Sequence, residues 1–342
     1  MFMHYNIIQN NAKGDLNMSG NQKEMPGRIL LANGVKVPAK EMAKKYVLDN
    51  FKIGEEKIQK MGKYIPTDGE VGYIKAALSV PGKPVALAGP PGLGKTTLVY
   101  NLANELDVPL IRFSPGTQPW QVVGMPPDVE TMEFSDTPLT ALVRSGAGGL
   151  VLFDDAVKLD PRVFGLLANM MDKIQELHAK SNEILTAEGV NMIFTYNSPT
   201  DLDRDVPFKD LPEFMRSRLS VVRFKIPKGD KAMDIIEEKY KSMNDSEMAR
   251  KVLKAISHNK KALGDLYDEL NGSTYRNQYE GVMTARCTTR MAERVVEMIA
   301  AGVSPLEAVR YEIASPMFDV DSESAESAIQ SVIQSAKGKG MN

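Results

Sequence analysis

The sequence predicts an α/β protein in which a parallel sheet, covered by helices on both faces, is followed by a smaller all-helical domain. In the middle of the chain, short apolar runs alternate with helical patterns, as expected for a parallel sheet whose strands are buried on both sides. Beyond residue 228 the apolar runs stop and only helical patterns follow. The 342 residues, of which 43% are hydrophobic and 25% charged, suffice for one large domain and a smaller one.

Five apolar runs mark the expected strands: VALA (85–88), LIRF (110–113), LVLF (150–153), MIFTY (192–196) and VVRF (221–224). Apolar residues at helical spacing predict further helices at 38–52, 231–242, 246–257, 284–301 and 305–314. The last of these begins at SPLE (304–307), where a capping serine, a proline and a glutamate stand at the positions that favour a helix start.

These patterns divide the chain into four parts: an N-terminal extension (1–65), an α/β domain (66–228), a helical domain (229–320) and a C-terminal helix with its tail (321–342). Residues 1–35 are rich in Asn, Gly and Lys, and we expect them to be poorly ordered. The final SAKGKGMN (335–342) is expected to fray.

Composition excludes several classes of protein. The net charge of −2 provides no overall attraction to nucleic acid or membrane. A single cysteine, Cys287, cannot form a disulfide within the chain and is interpreted as a small helix residue. The three histidines, His4, His178 and His258, are not at metal-binding spacing. With no apolar run of membrane-spanning length and no signal-peptide core, we expect a cytoplasmic protein without membrane insertion.

The most specific motif is the phosphate-binding loop GPPGLGKTT (89–97). It follows a predicted strand and precedes a helical pattern, which is the context that such a loop requires. Its glycines allow backbone N–H groups to surround phosphate oxygens, and the helix N-terminus adds partial positive charge. Lys95 would reach the β- and γ-phosphates of ATP, and the Thr96 hydroxyl would ligate Mg²⁺. The predicted nucleotide-binding residues of this loop are Gly89, Pro90, Pro91, Gly92, Leu93, Gly94, Lys95, Thr96 and Thr97.

Two adjacent aspartates end the third predicted strand, in GGLVLFDDAVK (148–158). Paired charges at the end of a buried strand are costly unless something binds there. With a phosphate-binding loop on a nearby strand, Asp154 is expected to hold Mg²⁺ through water. Asp155 then stands where a base would orient the attacking water.

Beyond these motifs the sequence resembles AAA+ ATPases, and within them the MoxR group. The resemblance is carried by FDDAVKLDPRVFGLLANMMD (153–172), TYNSP (195–199), LPEFMRSRL (211–219) and the insert WQVVGMPP…FSDTPLTALVRSG (120–146). YIPTDGEV (64–71) and TARCTTRMAERVVEMIAAGVSPLEAV (284–309) are similar to the branch that contains NorQ and CbbQ. The resemblance implies a P-loop AAA+ core with a small helical lid, assembled as a ring, most often a hexamer. It also implies a partner protein, often a von Willebrand-type adaptor, and a task in the maturation of an enzyme complex.

The same resemblance assigns further residues. Asn197 would orient the attacking water; the competing interpretation is a strand-end asparagine that forms an Asx turn. Arg218 matches the arginine that reaches into the neighbouring subunit, with Arg216 as the alternative. Arg286 matches the lid arginine that contacts phosphate, with Arg290, one helical turn later, as its alternative. The competing interpretation of each arginine is a surface ion pair, with Asp210 or Glu213 for the first two and Glu293 for Arg290.

Three positions depart from the family pattern. Asp155 replaces the usual Glu, Thr137 replaces a Gly, and the loop reads GPPGLGKT rather than GPTGCGKT. Because Asp is one methylene shorter than Glu, one alternative function is a nucleotide-gated scaffold that barely hydrolyses ATP. A DNA-directed AAA+ loader is the other, suggested by the RSR motif (216–218) and the basic residues of the extension, although a pI of about 6.1 argues against nucleic acid. Trp120, the only tryptophan, either contacts a partner or anchors the insert.

Overall fold

The computed structural model describes residues 28–32, 34–197, 211–243, 246–279, 282–318 and 325–341. Its strands are β1 (Arg28–Leu30), β2 (Lys36–Pro38), β3 (Val85–Ala88), β4 (Leu110–Phe113), β5 (Gly149–Phe153), β6 (Glu176–His178), β7 (Ile184–Thr186), β8 (Val190–Tyr196) and β9 (Ser220–Arg223). The helices before the lid are α1 (Lys40–Phe51), α2 (Glu55–Met61), α3 (Glu70–Leu78), α4 (Lys95–Glu105), α5 (Pro119–Val123), α6 (Pro138–Ser145), α7 (Pro161–Leu167) and α8 (Glu213–Arg216). The remaining helices are α9 (Gly229–Ser242), α10 (Glu247–Asn271), α11 (Ser273–Gln278), α12 (Thr289–Ala300), α13 (Pro305–Val309), α14 (Ser315–Met317) and α15 (Ala325–Gly338).

Five parallel strands form the central sheet in the order β4-β5-β8-β3-β9. All five correspond to predicted apolar runs, and the predicted fold class is confirmed. Because side chains alternate along a strand, one face of the sheet packs against α3 and α4 and the other against α6 and α7. On the second face Phe153 stacks between Phe113 and Phe194, with ring centroids 5.2 and 4.9 Å away.

The strand order places the predicted site residues together. β5 and β3 flank β8, and in a parallel sheet their carboxyl ends lie at one edge. The phosphate-binding loop leaves β3, the two aspartates follow β5, and Asn197 follows β8. Ligands of open α/β sheets bind at this edge.

The helical domain has its own core, built mainly by α9, α10, α12 and α15. Helix α10 is longer than predicted: it runs to Asn271 rather than ending at 257, because Leu263, Tyr267 and Leu270 continue its apolar face past a polar stretch. The prediction that helix 284–301 opens before residue 286 was wrong. Thr288 caps α12, so Cys287 lies just outside the helix, fully buried.

The expectation of a frayed C-terminus was also wrong. Helix α15 continues to Gly338, and Val332, Ala336 and Met341 are buried in the lid core. Lys339 forms an ion pair with Glu269 at 2.7 Å, which fixes the end of the chain to α10.

The N-terminal extension is more ordered than predicted from residue 28 onward, whereas residues 1–27 and 33 lie outside the described part. Strands β1 and β2 form a hairpin, and Val35, Val37 and Phe134 make a small apolar cluster between the hairpin and the insert. The Phe134 N–H donates to Lys36 O at 2.7 Å, so the insert continues the hairpin as a third strand would. Helix α1 then packs on α6, and α2 on α4. The domain boundaries predicted at residues 65, 228 and 320 stay predictions.

Among the described residues, no helix has both the length and the apolar character needed to cross a membrane.

Candidate functional site

The phosphate-binding loop connects β3 to α4 in a conformation that requires glycine. Gly92 and Gly94 have φ of +78° and +77°, where side chains are strained. Pro90, Pro91, Leu93 and Thr97 complete the loop and the first turn of α4. A side chain at Gly92 would also meet Arg290 and Thr288, because this part of the loop lies against the start of α12. The loop is therefore in contact with the lid.

Lys95 is the first residue of α4, and its ammonium lies within the loop. Its Nζ donates to the carbonyl oxygens of Gly89 and Pro90, both at 2.7 Å, and to Asn197 Oδ1 at 3.2 Å. Burial lowers the pKa of Lys95 to about 8, against the opposing effect of Asp155 and Asp154. A buried cation held by neutral carbonyls is a ready partner for an anionic phosphate.

Asp154 is linked to the loop through Thr96. Its Oδ1 accepts from Thr96 Oγ1 at 3.0 Å and from the Thr195 hydroxyl, and its Oδ2 accepts from Arg112 Nη2 at 2.6 Å. Carboxylate and hydroxyl oxygens are the ligands that Mg²⁺ prefers, and it takes few from protein when phosphates supply the rest. The described residues contain no cluster of three or more acidic, His or Cys side chains suited to a metal. Thr96 and Asp154 thus fit a magnesium ion that a nucleotide also ligates.

Asp155 has a left-handed backbone, with φ of 49° and ψ of 50°, which Asp tolerates better than most residues. Its N–H donates to Thr195 Oγ1 at 3.1 Å. Its Oδ1 lies 3.4 Å from Asn197 Nδ2 and its Oδ2 lies 3.2 Å from Lys158 Nζ. Asn197 therefore contacts both Lys95 and Asp155, and this links the phosphate-binding loop to the second acid.

The two arginines of the RSR motif lie away from this edge. Both precede β9, at its amino end, whereas the loop and the acids lie at the carboxyl ends of parallel strands. Arg216 is exposed at the end of α8. Arg218 donates to Phe214 O at 2.7 Å and lies 3.9 Å from Asp172, a different carboxylate from the two considered in the sequence. Asp210 is outside the described residues.

The two candidate lid arginines lie differently relative to the phosphate-binding loop. Arg290, in the first turn of α12, lies against Gly92 and lines the cavity beside the loop. Arg286 precedes α12 and is not among the residues that line this cavity.

This cavity, of about 160 Å³, lies between the core and the lid. Its apolar walls come from the segment before α3, the loop, the end of β9 and α9, and they include Tyr64, Ile65, Leu93, Phe224, Pro227 and Ile236. Lys239 and Glu293, 2.6 Å apart, provide charge at one side. A cavity with both apolar and polar walls beside a phosphate-binding loop suits the base and sugar of a nucleotide. Of these residues the sequence argument named only Leu93, as part of the loop, and YIPTDGEV, noted for its resemblance, contains Tyr64 and Ile65; it missed Phe224, Pro227 and Ile236.

A larger cavity, of about 560 Å³, lies along the outer edge of β9 and contains no residue of the phosphate-binding loop. Although this cavity is larger, it is therefore not the candidate nucleotide site.

Two other positions now have a structural explanation. Thr137, at a position where the resemblance would place Gly, caps α6 through Thr140 N–H and donates to Val122 O at 3.0 Å. It therefore joins α5 to α6. Trp120 in α5 is 44% exposed, so it is not a fully buried anchor of the insert.

Comparison with known proteins agrees with this geometry. Residues 84–214 match the family model described as "AAA domain (dynein-related subfamily)". The chain is 26% identical over 247 residues to chaperone protein ClpB of Tropheryma whipplei, which covers 65% of this chain and 34% of that protein. It is 26% identical over 226 residues to the replication factor C large subunit of Pyrobaculum islandicum, covering 63% and 45%. It is 28% identical over 179 residues to protein NorQ of Paracoccus denitrificans, covering 51% and 63%.

The chain thus spans between about a third and just under two thirds of the length of these relatives. Together the fold and these similarities are those of an AAA-type α/β core over residues 84–214, followed here by a helical lid. Placement in the MoxR group, and in its NorQ and CbbQ branch, stays a prediction.

Proposed function

We propose that this protein binds ATP with Mg²⁺ between its core and lid, hydrolyses it, and uses the cycle within a ring of identical subunits to remodel a partner protein. The observation that supports this best is a set of two hydrogen-bonded groups, Lys95–Asn197–Asp155 and Thr96–Asp154, at the carboxyl edge of the sheet. The Thr195 hydroxyl joins them, because it bonds to both aspartates. The set contains a cation for phosphate, oxygen ligands for a metal and an acid beside an amide.

Each residue has a role in the proposed reaction. Lys95 binds the β- and γ-phosphates in place of the carbonyls of Gly89 and Pro90. Asp155 and Asn197 orient the water that attacks the γ-phosphate. Thr96 and Asp154 hold Mg²⁺, which supplies charge stabilisation for the transferring phosphoryl group. Arg290, from the lid, is now the preferred contact with phosphate, ahead of Arg286.

A neighbouring subunit would complete the site. Arg218, with Arg216 as the alternative, lies at the amino end of a parallel strand, about 13 Å or more from the carboxyl edge at about 3.3 Å per residue. We propose that an arginine this far from its own phosphate-binding loop acts on the nucleotide of the next subunit. A hexamer and a von Willebrand-type adaptor follow only from the resemblance.

A second candidate is the weakly hydrolysing, nucleotide-gated scaffold. It is favoured by the environment of Asp155, whose two oxygens face Asn197 and Lys158. An acid that is shorter than Glu and occupied by a lysine is a poor water-positioning group unless it moves.

Phosphate release from ATP with Mg²⁺, measured together with nucleotide binding, separates the two candidates. The variants are Lys95→Ala, Asp155→Glu and, as the matched control, Lys83→Ala at an exposed lysine outside the loop. Turnover that is lost in Lys95→Ala but kept in Lys83→Ala supports the ATPase. Binding without turnover, with a gain in Asp155→Glu, supports the scaffold. Absence of nucleotide binding by the unaltered protein would contradict both.

A further inference from the structure

The metal-holding acid of the proposed site carries a counter-ion that the sequence motifs do not explain. Arg112 Nη2 donates to Asp154 Oδ2 at 2.6 Å. Oδ1 of the same carboxylate already accepts from the hydroxyls of Thr96 and Thr195. Arg112 therefore binds Oδ2, the carboxylate oxygen that the two threonine hydroxyls do not contact.

The register of the sheet brings Arg112 and Asp154 together. Arg112 pairs in register with Leu152, on the neighbouring strand β5. Leu110, Leu150 and Leu152 all face α4, so the alternation of side chains directs Arg112 and Asp154 to that same face. The backbone N–H of Asp154 also donates to Phe113 O at 2.8 Å, which extends the pairing of β4 with β5 past the last strand residue.

The guanidinium has a further partner in α4. The hydroxyl of Tyr100, a buried residue, interacts with Arg112, and Lys57 of α2 lies over the Tyr100 ring, 4.7 Å from its centroid. Arg112 is therefore held from β4 and α4 together, although 45% of its side chain is exposed and the carboxylate is only 13% exposed.

The pairing of Arg112 with Asp154 changes the net charge beside the phosphate-binding loop. Without a metal, a bare Asp154 would repel the phosphates of a nucleotide bound in the adjacent loop. With Arg112 in place the carboxylate is neutralised, and its attraction for a divalent cation is correspondingly reduced. The same guanidinium thus favours metal-free nucleotide and opposes the metal.

We propose that Arg112 is a built-in counter-ion of Asp154 that substitutes for the charge of Mg²⁺ and so reduces the dependence of nucleotide binding on that ion. This inference rests on the proposed function, because it concerns the same nucleotide site. It assigns Arg112 as a positioning and charge-balancing residue, since it acts through Asp154.

The test is the affinity for ADP, measured by titration calorimetry in EDTA and at fixed free Mg²⁺, for the unaltered protein, Arg112→Gln and Arg112→Lys. ADP cannot be hydrolysed at the γ-position, so the readout does not depend on turnover. Association of Mg²⁺ with ADP in solution is the same in every titration and cancels between variants. Arg162→Gln is the matched control, because Arg162 also pairs with an aspartate, Asp160, but on the exposed start of α7.

We expect the ratio of affinities with and without Mg²⁺ to rise about fivefold in Arg112→Gln, by weaker binding in EDTA, stronger binding with Mg²⁺, or both. Arg112→Lys, which keeps the charge, and Arg162→Gln should stay within about twofold of the unaltered protein. Should Arg112→Gln be unstable, Arg112→Met keeps the apolar stem and removes the charge, with the same expected result.

An unchanged ratio in Arg112→Gln or Arg112→Met, with ADP still bound, would overturn the role of Arg112 and leave the proposed ATPase intact. A ratio that rises equally in Arg112→Lys would also overturn it, because the effect would not then follow charge. Failure of the unaltered protein to bind ADP in either condition would overturn the proposed function, and this inference with it.

Discussion

At the scale of single residues, the proposed site is organised around a buried lysine. Lys95 is 7% exposed, and its ammonium is satisfied by two carbonyls of its own loop and by Asn197. Carbonyl dipoles hold a cation without neutralising it, so the charge remains available to a phosphate. The same burial is the reason that the pKa of Lys95 falls to about 8.

This pKa predicts that nucleotide binding is coupled to proton uptake. Phosphates stabilise the charged lysine and raise its pKa in the complex, so ADP affinity should fall as pH rises through 8, by up to about tenfold per pH unit. Calorimetry in buffers with different ionisation enthalpies should show uptake at pH 8.5 and almost none at pH 6.5. Lys95→Arg, which stays protonated, is the control and should show no uptake at either pH.

The effect on folding has the opposite sign. Because the folded pKa of Lys95 is lowered, burial of the charge costs stability below pH 8, and that cost disappears as pH rises from about 8 toward the unfolded value. A rise in pH above 8 thus removes the free-energy cost of the buried charge and at the same time weakens the proposed contact between Lys95 and phosphate.

At the scale of elements, the central sheet could be predicted because its strands are almost wholly apolar runs. VALA and LIRF form β3 and β4 with the predicted bounds, and β5 and β8 begin one and two residues earlier than predicted. The hairpins β1–β2 and β6–β7 could not be predicted in this way. Each strand has three residues, and its position depends on partners distant in the chain, such as Phe134 for β2.

In the candidate site, too, the residues in local motifs could be predicted and those whose position depends on distant parts of the chain could not. Lys95, Thr96 and the two aspartates follow from local motifs, because each motif fixes backbone geometry within a few residues. The proposed preference for Arg290 over Arg286 depends on where α12 begins, and the capping residue Thr288 sets that start. The pairing of Arg112 with Asp154 required the strand order and register, which no local pattern contains.

One interaction joins the insert to the β6–β7 hairpin. Arg144 of α6 contacts Asp136, before α6, at 2.9 Å and Glu183, between β6 and β7, at 2.7 Å. All three side chains are at most 11% exposed. A buried cation shared by two carboxylates fixes the insert and the β6–β7 hairpin relative to each other.

Arg144→Met should therefore destabilise the protein by about 3–5 kcal/mol, since it leaves two buried carboxylates without their cation. Urea unfolding measures the change. Arg162→Met breaks the exposed pair with Asp160 and should cost less than about 1 kcal/mol. Equal costs for the two variants would show that the buried cluster is not what holds these elements.

At the scale of the whole molecule, the placement of the arginines predicts that one subunit alone is incomplete. The phosphate-binding loop and the acids lie at the carboxyl edge of the sheet, and Arg218 lies at the amino end of β9, beside Asp172 and Phe214. If the proposed ring forms, each nucleotide takes Lys95 from one subunit and Arg218 from the next.

Two inactive variants should then restore each other. Lys95→Ala lacks a working loop but keeps Arg218, and Arg218→Ala lacks the arginine but keeps the loop. In an equal mixture, a site is complete when an Arg218→Ala subunit is followed by a Lys95→Ala subunit, which random closed assembly gives at about a quarter of the positions. We expect ATP hydrolysis by the mixture to reach about that fraction of the unaltered rate, although each variant alone is inactive. Repeating the mixture with Arg216→Ala in place of Arg218→Ala identifies which arginine acts. A mixture as inactive as its components, with assembly shown by sedimentation, would mean that neither arginine crosses to the neighbouring site.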